Sequence, residues 1–322
     1  MVKKILIPQD ISAAGKNYLL ERGYEIKIGS GTTADAIAKD VEDCDAILAR
    51  TAQFPAEVIK AGKKLKAIGR HGIGVDNIDV NICTELGICV TYAPLSNANS
   101  VAEHTIGFII ALAKNMVKID KEFRNGDFEI RNRLKGMDLE GKTLGLVGLG
   151  RIGTMVAKKA ALGLGMKVLG YDPYVNKNQA APEIELVNDW DTIFKKSDFV
   201  SLHLPASKET KGLVGKKEFE MMKPSAYFIN TARGEVINEK DLIAALQQKK
   251  IAGAALDVFE QEPPAKDNPL FKLDNVILSP HNAALTQETM DRMGLHAAIG
   301  IDEVLSKKKP SWPVNNPKIK DR

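Results

Sequence analysis

The stretch from Lys142 to Asp172 narrows the possible folds more than any other in the chain. A strand-like run, Thr143 to Val147, passes directly into Gly148-Leu149-Gly150-Arg151-Ile152-Gly153. A helical stretch follows to about Leu162, Gly163 and Gly165 stop it, and a second strand, Lys167 to Tyr171, ends on Asp172. In that setting Gly148 allows the tight turn, Gly150 lets the backbone approach a pyrophosphate, and Gly153 lets the helix pack on the strand. The amides and the positive dipole end of the helix then face the phosphates. Asp172 stands nineteen residues after Gly153, where a carboxylate accepts bonds from the adenosine ribose hydroxyls and repels a 2′-phosphate. Pro173 and Tyr174 follow it, where a phosphate-pairing Arg would stand, so NAD is favoured over NADP. Three glycines in a turn match this spacing by chance often enough; strand, glycines, helix and acid in register do not.

A nucleotide unit of this kind accounts for only part of 322 residues. Domains usually run about 100 to 200 residues, so two α/β lobes with a cleft are expected. The alternation supports this. Strands are predicted at Lys3 to Pro8, Ala46 to Arg50 and Leu65 to Gly69, with helices around Ile11 to Arg22 and Thr33 to Val41. A second alternating run places strands at Thr143 to Val147, Lys167 to Tyr171, Phe199 to Leu204, Ala226 to Asn230, Gly253 to Leu256 and Val276 to Ser279. Both runs imply α/β, doubly wound parallel sheets. The turn-rich Ala93 to Asn99 marks a crossing between lobes, and Ala283 to Thr286 marks a second. Ser100 and Glu103 read as a capping box for a helix over Val101 to Met116, apolar on nearly every face and so buried, between the lobes. The helix over Gln287 to Ser306 is predicted to return to the first lobe, and Pro310 to Arg322 to form a loose tail.

Composition removes several function classes. The net charge of +4 comes from 45 basic against 41 acidic residues, and no basic stripe interleaved with aromatics marks a nucleic-acid surface. No run approaches the roughly 20 apolar residues of a membrane helix, and the N-terminus reads as a strand, not as a leader. A cytoplasmic location is expected. Cys44, Cys83 and Cys89 lack metal-ligand spacing and read as reduced and structural, with no metal site.

Three polar residues stand at ends of predicted strands: Arg233 in Asn-Thr-Ala-Arg-Gly, Glu262 in Phe-Glu-Gln-Glu-Pro-Pro, and His281 in Ser-Pro-His-Asn. In an open α/β sheet ligands bind at that edge, so residues distant in sequence converge there. Oxidising a 2-hydroxy acid needs a base for the hydroxyl proton, a cation for the carboxylate and a hydride acceptor over the carbon; His281, Arg233 and NAD match these needs. Glu262 would hold the other imidazole nitrogen and favour the protonated form in the reductive direction. Singly, each residue is more often structural or solvated; the combination carries the reading. His203 reads as a wall of the cofactor pocket, and His71, His104 and His296 receive no catalytic role. Arg70 to Asn77, with Gly72 and Gly74 spaced to expose amides, reads as an anion nest or an ordinary glycine turn. Arg50, at another strand end, is a candidate for a second anionic group.

Together these segments resemble the D-isomer-specific 2-hydroxyacid dehydrogenase family from about Ile5 to Leu305. The likeness rests on Gly-Arg-His-Gly-Ile-Gly-Val-Asp-Asn, Gly-Lys-Thr-Leu-Gly-Leu-Val-Gly-Leu-Gly-Arg-Ile-Gly, Ile-Asn-Thr-Ala-Arg-Gly, Ala-Gly-Ala-Ala-Leu-Asp-Val-Phe-Glu-Gln-Glu-Pro-Pro and Ser-Pro-His. Within the family it is most similar to the short-type phosphoglycerate dehydrogenases. The resemblance implies catalysis by Arg233, Glu262 and His281. It implies cofactor contacts at Gly148, Gly150, Arg151, Ile152, Gly153, Asp172, His203, Pro205, Thr210, Thr231, Ala232 and Asp257, the last at the nicotinamide carboxamide. It implies substrate contacts at Ile73, Gly74, Asn97 and Arg233, to which the strand-end position adds Arg50. It also implies a Rossmann NAD domain over 99–283, inserted into a discontinuous flavodoxin-like substrate domain of 1–98 and 284–322, and a homodimer through the NAD domains.

The expected partner is a small 2-hydroxy or 2-keto acid, with phosphoglycerate ahead of hydroxypyruvate or glyoxylate. An NAD(H)-sensing corepressor-like binding protein is the alternative from another class. Two departures from the family pattern stand out. The segment His281-Asn-Ala-Ala-Leu-Thr has no glycine where the family carries one, which bears on the pocket wall and substrate preference. No C-terminal regulatory domain follows, so serine feedback through one is not expected.

Overall fold

The computed structural model describes residues 2–317. The chain divides into two compact units, one built from residues up to Asn97 together with those from Ala284 onward, the other from Ala98–Ala283.

The first unit holds five strands, β1 (Lys4–Ile7), β2 (Glu25–Ile28), β3 (Ala46–Ala49), β4 (Ala67–Arg70) and β5 (Cys89–Thr91), and the helices α1 (Ala13–Glu21), α2 (Ala34–Asp40), α3 (Ala56–Ala61) and α4 (Val80–Glu85). All pairs are parallel, in the order β2-β1-β3-β4-β5, with Leu6 opposite Ile47 and Ile68 opposite Val90. Strands this apolar are covered on both faces. Leu6, Ile47, Ile68 and Val90 pack under Phe54, Val58 and Ile59, while Ile5, Ile7, Leu48 and Ala67 face Ala297 and Ile301. The strand expected at Leu65 to Gly69 starts at Ala67, because the Leu65 amide closes a turn onto the Gly62 carbonyl. β2, with its Glu and Lys, is an edge strand and has no apolar run to read. The three cysteines are buried and unpaired.

The second unit holds α5 (Ala98–Ala113), α6 (Met116–Arg124), α7 (Ile130–Arg133), β6 (Thr143–Val147), α8 (Arg151–Leu164), β7 (Lys167–Tyr171), β8 (Ile184–Leu186), α9 (Trp190–Lys196), β9 (Phe199–Leu202), α10 (Lys216–Met221), β10 (Tyr227–Asn230), α11 (Glu239–Gln247), β11 (Gly253–Leu256) and β12 (Val276–Leu278). Its seven parallel strands run β12-β11-β10-β9-β6-β7-β8. The order reverses between β6 and β9, the point at which doubly wound sheets bind nucleotides.

Two expectations for α5 change. It begins at Ala98, so Ser100 stands inside the helix and not at its cap; the Glu103 carboxylate instead accepts from the Asn99 side chain at 2.7 Å. It also ends at Ala113, because Asn115 takes a left-handed conformation, φ 52°, and restarts the chain as α6.

The last helix, α12 (Gln287–Leu305), belongs to the first unit and lies on β3, β4 and β5. Glycines set its closeness: a Cβ on Gly69 would fall 2.5 Å from the Ala297 carbonyl oxygen, and one on Gly15 2.6 Å from that of Gly294. The segment after it is not loose over its described part. The Val314 amide donates to the Val90 carbonyl, the Tyr92 amide to that of Trp312, and the Asn315 side chain both accepts from the Val90 amide and donates to the Ile88 carbonyl. Trp312 also packs on the His296 ring. Residues 318–322 of the expected tail lie outside the described residues.

Candidate active site

At the switch point of the second sheet, the cradle is shaped by what its glycines exclude. Gly148 has φ +92°, and a Cβ there would lie 2.5 Å from the His203 carbonyl oxygen; one on Gly153 would lie 2.1 Å from that of Gly148. Gly150, by contrast, has open space above it, with nothing within 4 Å of where a Cβ would stand. The lack of a side chain there keeps the approach to the first turn of α8 clear, and Arg151 and Ile152 lie in that turn. Asp172 is locked to the cradle: its Oδ2 accepts the Leu149 amide and its Oδ1 the Tyr174 amide, both at 2.9 Å. A carboxylate so fixed, beside amides at a helix start, fits a dinucleotide's ribose and pyrophosphate. His203 stands at the end of β9, its Nε2 3.1 Å from Ser201 Oγ and its buried Nδ1 without a partner among the described residues. Burial pushes the ring's pKa down to about 4. Pro205 and Thr210 close the adjoining loop, the Thr210 hydroxyl donating to the Pro205 carbonyl.

The three strand-end residues also belong to this unit. Glu262 Oε2 lies 2.7 Å from His281 Nδ1, and Glu262 Oε1 accepts the Phe259 amide at 3.1 Å. Burial acts to raise the Glu262 carboxyl, but the bond and charge of His281, the Phe259 amide and the Arg233 charge outweigh it and hold the group below its ordinary range. Half of the His281 side chain, 51%, remains exposed. The Arg233 loop is bracketed by the wholly buried Asn230, whose Oδ1 accepts the Ala232 amide and whose Nδ2 donates to the Arg233 carbonyl. Gly234 then meets the backbone of Phe259 so closely that a Cβ would fall 1.9 Å from its carbonyl. The loops that carry Arg233 and Glu262 are thereby packed main chain to main chain.

His281 itself adopts φ 50°, which costs a non-glycine residue free energy and needs support. Asp257, 1% exposed at the end of β11, supplies it. Its carbonyl accepts the His281 amide at 2.7 Å, its Oδ1 the Asn282 amide at 2.9 Å and its Oδ2 the Ala283 amide at 3.0 Å. Its Oδ1 also accepts the Ser279 hydroxyl at 2.5 Å.

Sequence reasoning assigns no role to α5 here, yet two adjacent residues of it reach both loops. His104 Nε2 lies 3.2 Å from Ser279 Oγ, and Thr105 Oγ1 lies 2.9 Å from Thr231 Oγ1, two residues before Arg233. The signal the sequence offers is a polar run, Glu103-His104-Thr105, just ahead of the apolar stretch Ile106 to Ala113 of the same helix.

The residues expected to hold substrate, other than Arg233, all lie in the first unit. Arg50 follows β3 at the reversal between β1 and β3, and its Nη1 donates to the Asp10 carbonyl at 3.1 Å. Asn77 donates to the Arg50 and Ala52 carbonyls and so ties the Arg70 to Asn77 loop to it. Within that loop the Arg70 guanidinium folds back onto the carbonyls of His71 and Gly74. Ile73 and Gly74 are half-buried, and the buried Oδ1 of Asn97 has no partner among the described residues. His71 is 3% exposed; burial first, then the charges of Arg50 and Arg70, push it down to about 4. Among the described residues no helix is long and apolar enough to cross a membrane, and no cluster of His, Cys, Asp or Glu could hold a metal ion.

Comparison with known proteins gives this geometry a lineage. Residues 106–283 match the family model described as D-isomer specific 2-hydroxyacid dehydrogenase, NAD binding domain. A D-3-phosphoglycerate dehydrogenase of Archaeoglobus fulgidus is 43% identical over 293 residues, 91% of this chain but 55% of that protein. A glyoxylate reductase of Thermofilum pendens is 41% identical over 294 residues, 89% of this chain and 86% of that protein. The chain thus spans little more than half the length of the first relative and most of the second. Among solved structures, the TT0316 protein of Thermus thermophilus superposes with a TM-score of 0.90 at 32% identity, over 97% of this chain and all of that one. With over half its length matched by that family model, and with a dinucleotide cradle at the reversal of its larger sheet, this chain belongs to the D-isomer specific 2-hydroxyacid dehydrogenases and carries their NAD-binding domain.

Proposed function

We propose that this protein is an NAD-dependent oxidoreductase that moves a hydride between nicotinamide and C2 of a small D-2-hydroxy acid or its 2-keto partner, and that the acid is D-3-phosphoglycerate. The observation that carries the reading is the Glu262–His281 pair at 2.7 Å, with the imidazole half-exposed. A carboxylate on Nδ1 fixes the ring and its tautomer and leaves Nε2 to exchange a proton with the substrate hydroxyl. Arg233 offers a planar fork to the substrate carboxylate. Bound NAD supplies the hydride acceptor. In the oxidative direction His281 takes the hydroxyl proton, and Glu262 stabilises the imidazolium that results; in reduction His281 returns that proton to the carbonyl oxygen.

The first unit, on this reading, binds the substrate. Arg50 at its sheet reversal is assigned the phosphate, since crevices at such reversals are where doubly wound sheets take ligands. The 43% identity to a phosphoglycerate dehydrogenase supports the phosphorylated acid. The relative named glyoxylate reductase, of which this chain covers 86%, favours a second reading: a small unphosphorylated keto acid in the same site.

NADH consumption with phosphohydroxypyruvate, hydroxypyruvate and glyoxylate separates the two. The phosphorylated acid is expected to give the highest kcat/KM, and Arg50→Ala to weaken it selectively. Equal weakening of all three acids supports the second reading. His281→Ala is expected to lower kcat about 10²- to 10⁴-fold; activity close to wild type in that variant overturns the role of the imidazole. We further propose a homodimer formed through the NAD-binding unit.

A further inference from the structure

We propose that His104 is a positioning residue for the His281 imidazole, acting through Ser279 and Asp257, an inference that rests on the reading of His281 as the proton-transfer group. The hydrogen bookkeeping gives the chain a direction. Ser279 has one hydroxyl hydrogen and donates it to Asp257 Oδ1 at 2.5 Å. At 3.2 Å from His104 Nε2 it therefore accepts, which places the ring proton of His104 on Nε2. Donation runs from His104 to Ser279 to Asp257, and the carboxylate gathers the amides of Asn282 and Ala283 from the other side.

What makes this more than a satisfied buried acid is where the bonds go. Ser279, His281, Asn282 and Ala283 are one short segment, and every one of them bonds to Asp257 through main chain or side chain. That segment holds His281 at φ 50°, a conformation the residue does not favour by itself. His104 reaches it from a different element, with its ring held edge-on against Phe108 at 4.4 Å. The neighbouring Thr105 shows the same pattern toward the other loop. Its own hydrogen goes to the Val101 carbonyl, so Thr231 is the donor in their 2.9 Å contact, ahead of Arg233. One turn of α5 thus fixes the two loops from which the proposed proton donor and carboxylate fork project.

The test compares His104→Leu, which keeps bulk against Phe108 but loses the donor, with His104→Gln, whose amide nitrogen reaches about as far as Nε2. Misplacing a reacting group can cost up to about 10²-fold, so kcat is expected to fall on the order of tenfold or more in His104→Leu. KM for NADH should stay within about twofold, a split that general unfolding does not produce. Amide hydrogens of Asn282 and Ala283 should exchange faster in the same variant, a measurement that needs no turnover. His104→Gln should restore both, and Ser279→Ala should reproduce His104→Leu. Unchanged exchange at 282 and 283 in His104→Leu, or a glutamine variant as impaired as the leucine one, overturns the proposal. A fully active His281→Ala beside accelerated exchange would instead sink the role of His281 and leave the brace standing.

Discussion

Two glycines of the cradle, Gly153 and Gly150, separate folding from binding one residue at a time. Gly153 has the Gly148 carbonyl 2.1 Å from any added Cβ, whereas Gly150 has open space. Gly153→Ala is therefore expected to lower the melting temperature through overpacking, at about 1 to 3 kcal/mol. Gly150→Ala should melt with wild-type protein yet bind NADH at least about tenfold more weakly, because the new methyl stands where the phosphate must come. A thermal melt paired with NADH fluorescence titration checks both, and wild-type affinity in Gly150→Ala would refute the placement of the pyrophosphate. Sequence alone could name these glycines, since their spacing is local. It could not name the roles of Ser279 or His104, which depend on contacts with residues 22 to 175 positions away.

Elements were legible where burial repeats with one period. β6, β7 and β11 fall on the residues expected, being apolar and enclosed on both faces. β2 and β8 give no such signal because each is short and partly polar, and α6 gives none because no residue of it is buried. Strand ends bear a cost that pH reveals. His71, at the end of β4, is held down to about 4 by burial and by Arg50 and Arg70, against 6.5 for a free imidazole. The folded state binds fewer protons than the unfolded chain between those values. Its stabilising share is complete above about 6.5, drains away as pH falls, and is gone below 4. His203, pushed down to about 4 by burial, adds to the loss in the same direction. Urea unfolding at pH 7.5 and 5 should show a drop of roughly 2 kcal/mol for His71 alone, and His71→Gln should remove that portion. Equal stability at the two pH values would contradict the buried neutral ring.

At the level of the assembled protein, α6 offers the clearest prediction. None of its residues is buried, although Met116, Val117 and Phe123 are each more than half exposed and Phe123 pairs with the equally exposed Phe128. Apolar surface gathered in this way marks an interface, and a closed two-fold pairing is the commonest way to cover it. Light scattering is expected to report a dimer, and Phe123→Glu with Phe128→Glu a folded monomer; a dimer that survives both charges places the interface elsewhere. The order of the chain has a consequence for biosynthesis. Ile5, Leu48 and Ala67 need α12 over them, and the ribosome reaches Gln287 only after the entire nucleotide unit has been made. A nascent polypeptide must keep that half-finished sheet from sticking to its neighbours while the later-made unit is already free to mature.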